Sequence, residues 1–221
     1  MLTIIKTLSV LAFAGVSLAA PASGDVTVTL KNSCSSDLHV HKLTNGQGGE
    51  KSSQDVSAGS SVDFKVGSDW AGRFWGCRDG ESNCDQYGSA VSLAEFLFKG
   101  YQGSDFYDIS FVDGFNIPMS IKPDGKSGSG YDCGAPTCST LPSCPKELQT
   151  ENGACMSACA AFKTDEYCCT GAFNDPKKCK ASQYADKFKE GCSDAYSYAY
   201  DDAKSTYACQ ATRKYTVTFC P

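Results

Sequence analysis

The sequence predicts a mainly β protein, a flattened sandwich or barrel, with a second part that is rich in disulfides and partly helical. Short segments in which apolar and polar residues alternate recur along the first half of the chain and again at its end, separated by turn-forming clusters such as residues 45–49. Nine of the 14 cysteines lie between Cys133 and Cys192. That density is typical of a small, loop-rich region held by bridges.

The alternating segments predict the strands. We expect them at residues 25–30, 38–43, 61–66, 73–75, 105–111 and 213–219. A further segment, 115–121, contains Pro118, which predicts an edge strand or an irregular one. The last strand has the same period as the first, so we expect both ends of the chain to return to one sheet.

The composition changes near Lys122, where Gly, Ser, Lys and Asp become frequent. We therefore predict a β-sandwich core domain from residues 25–122 and 205–221, and a disulfide-rich loop and helix domain from residues 123–204. The best helix of the second domain is expected at 183–190, ended by Gly191.

Residues 1–19 have the pattern of a secretory signal peptide. Lys6 supplies the positive charge, and an apolar run follows from residue 8 to residue 18. That run is too short to cross a membrane, which takes about 20 residues. Cleavage is expected after Ala19, because cleavage one residue later would place Pro21 first. We therefore expect a secreted, extracellular protein in which the 14 cysteines form seven disulfides.

The charge argues against two classes of partner. The chain has 20 basic and 25 acidic residues, a net charge of −5. This makes a nucleic acid or an anionic membrane surface an unsuitable partner. No membrane span is expected, and we predict a monomer without a cofactor or metal.

Few catalytic chemistries fit this composition. His39 and His41 are the two histidines of the sequence, and they lie two apart on one predicted strand. A solvated strand face explains them better than a metal site, because no third ligand is suggested nearby. Apart from these two, the sequence has no histidine to serve in a Ser-His-Asp or Cys-His mechanism, and the G-x-S-x-G motif is absent. Carboxylates remain as the candidate catalytic groups.

Seven ordered motifs identify a family. They are GRFW at 72–75, LAEF at 93–96, YDIS at 107–110, VDGFNIPM at 112–119, DEYCCT at 165–170, DAYSY at 194–198 and VTFCP at 217–221. Over essentially its whole length after the signal, the chain resembles the thaumatin-like proteins, of the pathogenesis-related 5 type. Its short loops are more similar to those of fungal members than to those of plant members.

The resemblance implies a pairing for all 14 cysteines. The implied bridges are Cys34–Cys220, Cys77–Cys84, Cys133–Cys209, Cys138–Cys192, Cys144–Cys155, Cys159–Cys168 and Cys169–Cys179. Members of the family typically have one bridge more, in a loop that precedes the LAEF motif. Here only residues 85–92 separate Cys84 from that motif, so the loop is shortened.

The resemblance also implies an acidic cleft between the two domains, built from one Arg, one Glu and three Asp. The matching positions are Arg73, Glu95, Asp108 and Asp113, with the fifth at Asp201 or Asp202, of which we prefer Asp202. Asp108 and Asp113 are five apart, so on one straight strand they would face opposite sides, and we expect the chain to turn between them.

These residues imply two functions. In the first, the cleft binds β-1,3-glucan, and in some members it also hydrolyses that polymer as an endo-glucanase. Glu95 is then our candidate proton donor, with Asp108 or Asp113 as the ionised partner. In the second, the chain is a non-catalytic antifungal, defence-type or enzyme-inhibiting interaction protein. A purely structural ion network around Arg73 is the remaining alternative.

Aromatic residues beside these motifs could stack on sugar rings, but aromatic residues in strands are more often part of the core. We expect the core role for Phe74, Trp75, Phe96 and Phe115.

Overall fold

The computed structural model describes residues 24–46, 49–81, 84–86, 88–210 and 212–221. Within them, the strands are β1 (Val26–Asn32), β2 (Leu38–Thr44), β3 (Lys51–Val56), β4 (Ser61–Val66), β5 (Ala71–Arg78), β6 (Leu93–Leu97), β7 (Asp105–Ser110), β8 (Gly114–Phe115), β9 (Met119–Pro123), β10 (Thr137–Cys138), β11 (Cys155–Met156), β12 (Ala195–Tyr196), β13 (Tyr207–Cys209) and β14 (Lys214–Phe219). The α-helices are α1 (Ala158–Phe162), α2 (Asp165–Cys168), α3 (Gln183–Gly191) and α4 (Asp202–Ser205). The predicted signal peptide, 1–19, lies outside the described residues.

Two sheets form the β core. The first has the strand order β10-β9-β14-β1-β4. The second has the order β12-β7-β6-β5-β2-β3, and β13 also pairs with β7. A small third sheet joins β8 to β11. The mainly β fold class predicted from the alternating segments is therefore confirmed.

Strand alternation fills the space between the two large sheets. In β1, Val28 and Leu30 are buried, and in the parallel strand β14, Tyr215, Val217 and Phe219 are buried. The facing sheet contributes buried residues in the same alternation; they include Val40, Phe74, Phe96, Tyr107 and Ile109. Because successive side chains of a strand point to opposite faces, the other residues of β5, β6 and β7 lie on the sheet's outer face.

The predicted strands occur close to their expected positions. The first and last pair with each other, as the matching period indicated. The segment with Pro118 is divided into β8 and β9, so it is irregular, and β9 lies between two neighbours and not at an edge. The strand β3 escaped prediction because its sequence, KSSQDV, is polar and mostly exposed on an edge strand, where only Val56 is buried.

All seven bridges implied by the resemblance occur in the structure, and none of the described cysteines is free. Cys34–Cys220 links the chain just after β1 to the chain just after β14. Four bridges have both cysteines within residues 138–192, where regular structure is sparse. In that region the bridges take the place of an extended sheet.

The helices of the cysteine-rich region are short and capped. The predicted helix at 183–190 is α3, and the hydroxyl of Ser182 accepts a hydrogen bond from the backbone of Ala185 at its start. Among the described residues, no helix is long and apolar enough to cross a membrane. The predicted domain boundaries and the monomeric state stay predictions.

Candidate active site

Three of the predicted site residues form one row across the outer face of the second sheet. Arg73 of β5 pairs with Glu95 of β6, and Glu95 pairs with Asp108 of β7. Directly paired residues on adjacent strands have side chains on the same face, with Cβ atoms about 4.5–5.5 Å apart. The strand register therefore places one guanidinium and two carboxylates side by side.

Asp113 reaches the same place from a turn. The strand β7 ends at Ser110, and Gly114 has a φ of +131°, which side-chain-bearing residues rarely adopt. A Cβ at Gly114 would also lie 2.2 Å from the carbonyl oxygen of Cys155. The turn brings a carboxylate oxygen of Asp113 to 3.6 Å from Nη1 of Arg73. The chain thus turns between Asp108 and Asp113, as the odd spacing required.

The two adjacent acids of the fifth position have different surroundings. Asp201 is buried, and its Oδ2 accepts hydrogen bonds from Ser197 and Ser205 and lies 2.9 Å from Nζ of Lys189. Asp202 is exposed and lies close enough to Asp108 to raise the pKa of that carboxyl. The structure therefore places Asp202 next to the acidic row and holds Asp201 in a separate, buried ion pair.

A cavity of about 410 Å³ opens over the acidic row. Its walls are Arg73, Leu93, Glu95, Asp108, Ser110, Val112, Asp113, Tyr196 and Ala199. Tyr196 was not among the predicted site residues; its hydroxyl donates a hydrogen bond to Asp202 over 2.9 Å and also contacts Thr206. The DAYSY motif, which contains Tyr196, is the sequence signal that could have indicated it. In the structure, β12 pairs with β7 and places Tyr196 opposite Ser110.

Burial raises the pKa of all three carboxyls of the group. Asp108 is affected most: burial, Glu95 and Asp202 together raise its pKa well above the usual range. Burial also raises the pKa values of Glu95 and Asp113, but the guanidinium of Arg73 opposes the increase at both. The charge of Arg73 therefore favours ionised Glu95 and Asp113, whereas nothing comparable favours ionised Asp108.

Asp108 also has an unusual hydrogen-bonding state. Its Oδ1 is buried and has no hydrogen-bond partner among the described residues. A buried, unpaired polar atom costs about 1–3 kcal/mol. Buried polar atoms with a purely structural role are normally hydrogen-bonded, so an unpaired one on the wall of an open cavity favours a functional role.

The ion pairs of Arg73 are also loose. The distances from its guanidinium are 3.8 Å to Glu95 and 3.6 Å to Asp113. Charge-assisted hydrogen bonds are usually 2.7–2.9 Å long, the length of the Lys189–Asp201 contact. These two ion pairs of Arg73 are therefore longer than the nearby pair of Lys189 and Asp201.

The aromatic residues near the motifs have the core role that we expected. Phe74, Trp75, Phe96 and Phe115 are all buried. Next to the acidic row, however, a row missed by the sequence analysis pairs Leu97 with Phe106. Leu97 is 46% exposed and Phe106 is half-buried, so an apolar strip borders the carboxylates on the same face.

The two histidines do not share the solvated face that we expected. The side chain of His39 is 44% exposed and contacts Asp55, but His41 is buried and stacks on Trp75, with ring centroids 5.0 Å apart. Neither ring nitrogen of His41 has a hydrogen-bond partner among the described residues. Burial, followed by the charge of His39, lowers the pKa of His41 to about 4. The expectation was wrong for His41 because the ring of Trp75 covers it.

Residues 32–221 match the model of the Thaumatin family. A pathogenesis-related thaumatin-like protein 3.5 from Cryptomeria japonica is 42% identical, with 90% of this chain and 91% of that protein aligned. A protein from Prunus avium named glucan endo-1,3-beta-glucosidase is 35% identical, with 97% of this chain and 96% of that protein aligned.

A solved structure of a laminaripentaose-producing beta-1,3-glucanase in complex with laminaritetraose has a similar fold, with a TM-score of 0.60. It covers 90% of this chain and 99% of that one at 10% identity, so the similarity concerns the fold alone. With the family model matched over residues 32–221 and the seven bridges in place, this chain belongs to the thaumatin family.

Proposed function

We propose that the acidic cavity binds a chain of β-1,3-glucan and hydrolyses it internally, with Glu95, Asp108 and Asp113 as the catalytic carboxyls. The observation that carries the proposal is the buried Oδ1 of Asp108, which has no hydrogen-bond partner among the described residues and lies beside Glu95 on the wall of an open cavity. Such a carboxyl costs stability and forms no structural contact through its Oδ1. A role in proton transfer explains its presence.

The chemistry of the walls suits a neutral polymer with many hydroxyls. Carboxylates and one guanidinium can form several directional, charge-assisted hydrogen bonds to sugar hydroxyls. The strip of Leu97 and Phe106 offers an apolar surface for the C–H face of a sugar ring. The Prunus avium relative, whose name includes an endo-1,3-beta-glucosidase activity, supports the choice of β-1,3-glucan over other polymers.

The electrostatics support a division of roles between the carboxyls. Hydrolysis of a glycoside needs one protonated acid and one ionised partner. Glu95 and Asp108 are direct cross-strand neighbours, so two negative charges there repel and the pair retains one proton. The shared proton resides mainly on Asp108, where no positive charge opposes it, and passes to its neighbour Glu95. Glu95 has the longer side chain, which is 33% exposed, and delivers that proton to the glycosidic oxygen. Asp113 is the ionised partner, because Arg73 favours its charged form.

Release of reducing sugar from laminarin tests the hydrolysis. The variants Glu95→Gln and Asp108→Asn keep the size of each side chain and remove its proton transfer. We expect each to lower the rate at least about 100-fold, the contribution typical of general acid catalysis. Asp63→Asn is the matched control, because Asp63 is an exposed acid on the other large sheet. Its rate should stay that of the parent.

Retention on insoluble β-1,3-glucan separates binding from turnover. Retention of the parent together with no sugar release would overturn the hydrolysis and leave a non-catalytic interaction protein of the antifungal, defence or inhibitor kind. If the parent shows neither retention nor sugar release, the whole proposal fails.

We also propose that the chain is secreted. Seven disulfides and no free thiol among the described cysteines fit an oxidising compartment. The expected cleavage after Ala19 gives a mature chain that begins at Ala20. The intact mass of exported protein tests this, and a mass that includes residues 1–19 would contradict it.

A further inference from the structure

Three aromatic rings meet on the surface of the cysteine-rich region. Phe162 belongs to α1, Tyr167 to α2 and Tyr184 to α3. Their ring centroids lie 5.3 Å apart for Phe162 and Tyr167, 5.4 Å for Phe162 and Tyr184, and 5.9 Å for Tyr167 and Tyr184. We call these three residues the aromatic surface.

The aromatic surface is held in place covalently. The bridge Cys159–Cys168 joins α1 to α2, and the next residue, Cys169, is linked to Cys179 in the segment before α3. A ligand that binds to rings fixed in this way does not have to order them first, which lowers the entropic cost of binding.

The rings are open to solvent, unlike those of the core. Phe162 is 38% exposed, and Tyr167 and Tyr184 are half-buried. The buried aromatics between the sheets, in contrast, are nearly inaccessible. A contiguous apolar group that remains exposed in a folded protein often marks a place where something binds.

The chemistry of the aromatic surface fits a sugar chain. Sugar rings present C–H groups on their faces and hydroxyls around their rims, so they stack on aromatic faces and hydrogen-bond at the edges. Here the hydroxyl of Tyr184 donates to Glu147 over 3.0 Å, which places a carboxylate at the rim. The ring planes differ by 40–41° for the two pairs with Phe162 and by 69° for the third. Such a twisted platform suits a β-1,3-linked chain, which turns along its length, better than a flat β-1,4-linked ribbon.

Two residues lie between the aromatic surface and the acidic cavity. Tyr167 and Tyr184 line a small cavity whose other walls include Val112 and Ala199. Val112 and Ala199 also form part of the wall of the acidic cavity. A polymer that leaves the acidic cavity past these two residues approaches Tyr167 and Tyr184, which contact Phe162.

We propose that Phe162, Tyr167 and Tyr184 form a second glucan-binding surface, which holds the β-1,3-glucan polymer outside the acidic cavity. The inference rests on the proposed function, because the occupant is the same polymer. The aromatic surface increases the retention of long or insoluble chains and contributes little to short chains that fill only the acidic cavity.

The test uses the double variant Phe162→Leu/Tyr167→Leu, which keeps apolar bulk and removes two flat rings. Tyr101→Leu is the matched control, since Tyr101 is 76% exposed and belongs to none of the ring pairs found among the described residues. Retention on insoluble β-1,3-glucan and on cellulose is measured for both variants and the parent. Binding of laminaritetraose is measured by calorimetry, and thermal melts check that each variant folds.

We expect the double variant to lose about tenfold in affinity for insoluble β-1,3-glucan, which corresponds to two stacked rings. Its laminaritetraose affinity and the retention of Tyr101→Leu should equal those of the parent. Unchanged retention of a folded double variant would overturn the second surface and leave the acidic cavity untouched. Equal retention of the parent on cellulose would overturn the choice of a β-1,3-linked chain.

Other outcomes show whether this inference fails alone or together with the proposed function. A parent that binds neither laminaritetraose nor the insoluble polymer overturns both. If the double variant fails to fold, Tyr167→Phe/Phe162→Leu replaces it: this pair keeps one ring and should show about a threefold loss. A loss of laminaritetraose binding in step with polymer retention would also overturn the second surface.

Discussion

Removal of the Cys34–Cys220 bridge tests whether the covalent frame stabilises this fold by restricting the unfolded chain. The two cysteines are 186 positions apart and join the ends of β1 and β14. Other bridges shorten the covalent route between them. Through Cys77–Cys84 and Cys133–Cys209, the route still contains about 100 residues.

The loop length sets the expected size of the effect. In the chain-entropy model, a bridge that closes about 100 residues contributes about 4.7 kcal/mol to the free energy of unfolding at 25 °C. The Cys77–Cys84 bridge closes a separation of seven, and the same relation gives about 2.4 kcal/mol. The two bridges therefore differ about twofold, although the cysteines of both are buried or half-buried.

The assay compares two double variants, Cys34→Ala/Cys220→Ala and Cys77→Ala/Cys84→Ala. For a chain of this size, 1 kcal/mol corresponds to about 2–4 °C in Tm. We expect the first variant to melt about 10–20 °C below the parent and the second about 5–10 °C below it. Melts are followed by circular dichroism without reductant, after intact mass has shown that the remaining six bridges are closed.

Equal losses in the two variants would refute the reasoning, as would a larger loss from the short bridge. Either result would mean that local packing around the sulfurs, and not the length of the closed loop, determines what each bridge contributes.

Three further predictions concern charged groups. Asp201→Asn should lower the free energy of unfolding by about 1.5–3 kcal/mol, because it removes the charge that accepts hydrogen bonds from Ser197 and Ser205 and pairs with half-buried Lys189. Asp202→Asn should cost less than about 1 kcal/mol, since Asp202 is exposed; urea unfolding of both variants measures the difference, and similar losses would contradict it. Because the pKa of His41 is lowered to about 4, its imidazole stays neutral in the native state, whereas in the unfolded chain it binds a proton below about pH 6.5. Stability is therefore lost as the pH falls from about 6.5 to about 4. The variant His41→Phe should not show that loss. In urea unfolding, its free energy of unfolding should therefore rise by about 3 kcal/mol relative to that of the parent between pH 7 and pH 4. A difference between variant and parent that does not change with pH would show that His41 does not cause the loss. Arg73→Met removes the charge that opposes the raised pKa of Asp113, so the acid limb of the rate against pH should move to higher pH; a limb that stays in place would contradict the role of Arg73.

Much of the fold could be predicted because its strands are governed by alternation. The buried residues of β1, β4 and β14 recur with period two, so both the position and the inner face of each strand are visible in the sequence. The pairing of β1 with β14 followed from that shared pattern. The strand β3 carries no such pattern, since an exposed edge strand can be polar on both faces.

The site was harder to predict for a physical reason. Alternation shows which face of a strand Arg73, Glu95 or Asp108 occupies, but only the register shows that the three lie in one row, and register depends on the whole sheet. Motif resemblance supplied what alternation could not. It left the choice between Asp201 and Asp202 open, because two adjacent residues of a short turn can exchange roles without changing the pattern.

The position of the acidic row explains how the fold accommodates three crowded carboxyls. In each strand of the acidic row, a buried aromatic residue is adjacent to the site residue: Phe74 follows Arg73, Phe96 follows Glu95, and Tyr107 precedes Asp108. The repulsion and burial that raise the carboxyl pKa values on one face are offset by close-packed aromatic rings on the other face of the same three strands. Because rings and carboxyls alternate along a rigid backbone, a substitution that loosens the rings also displaces the carboxyls. The site is therefore as rigid as the core behind it, which favours a fixed arrangement of charges over one that must close around its ligand.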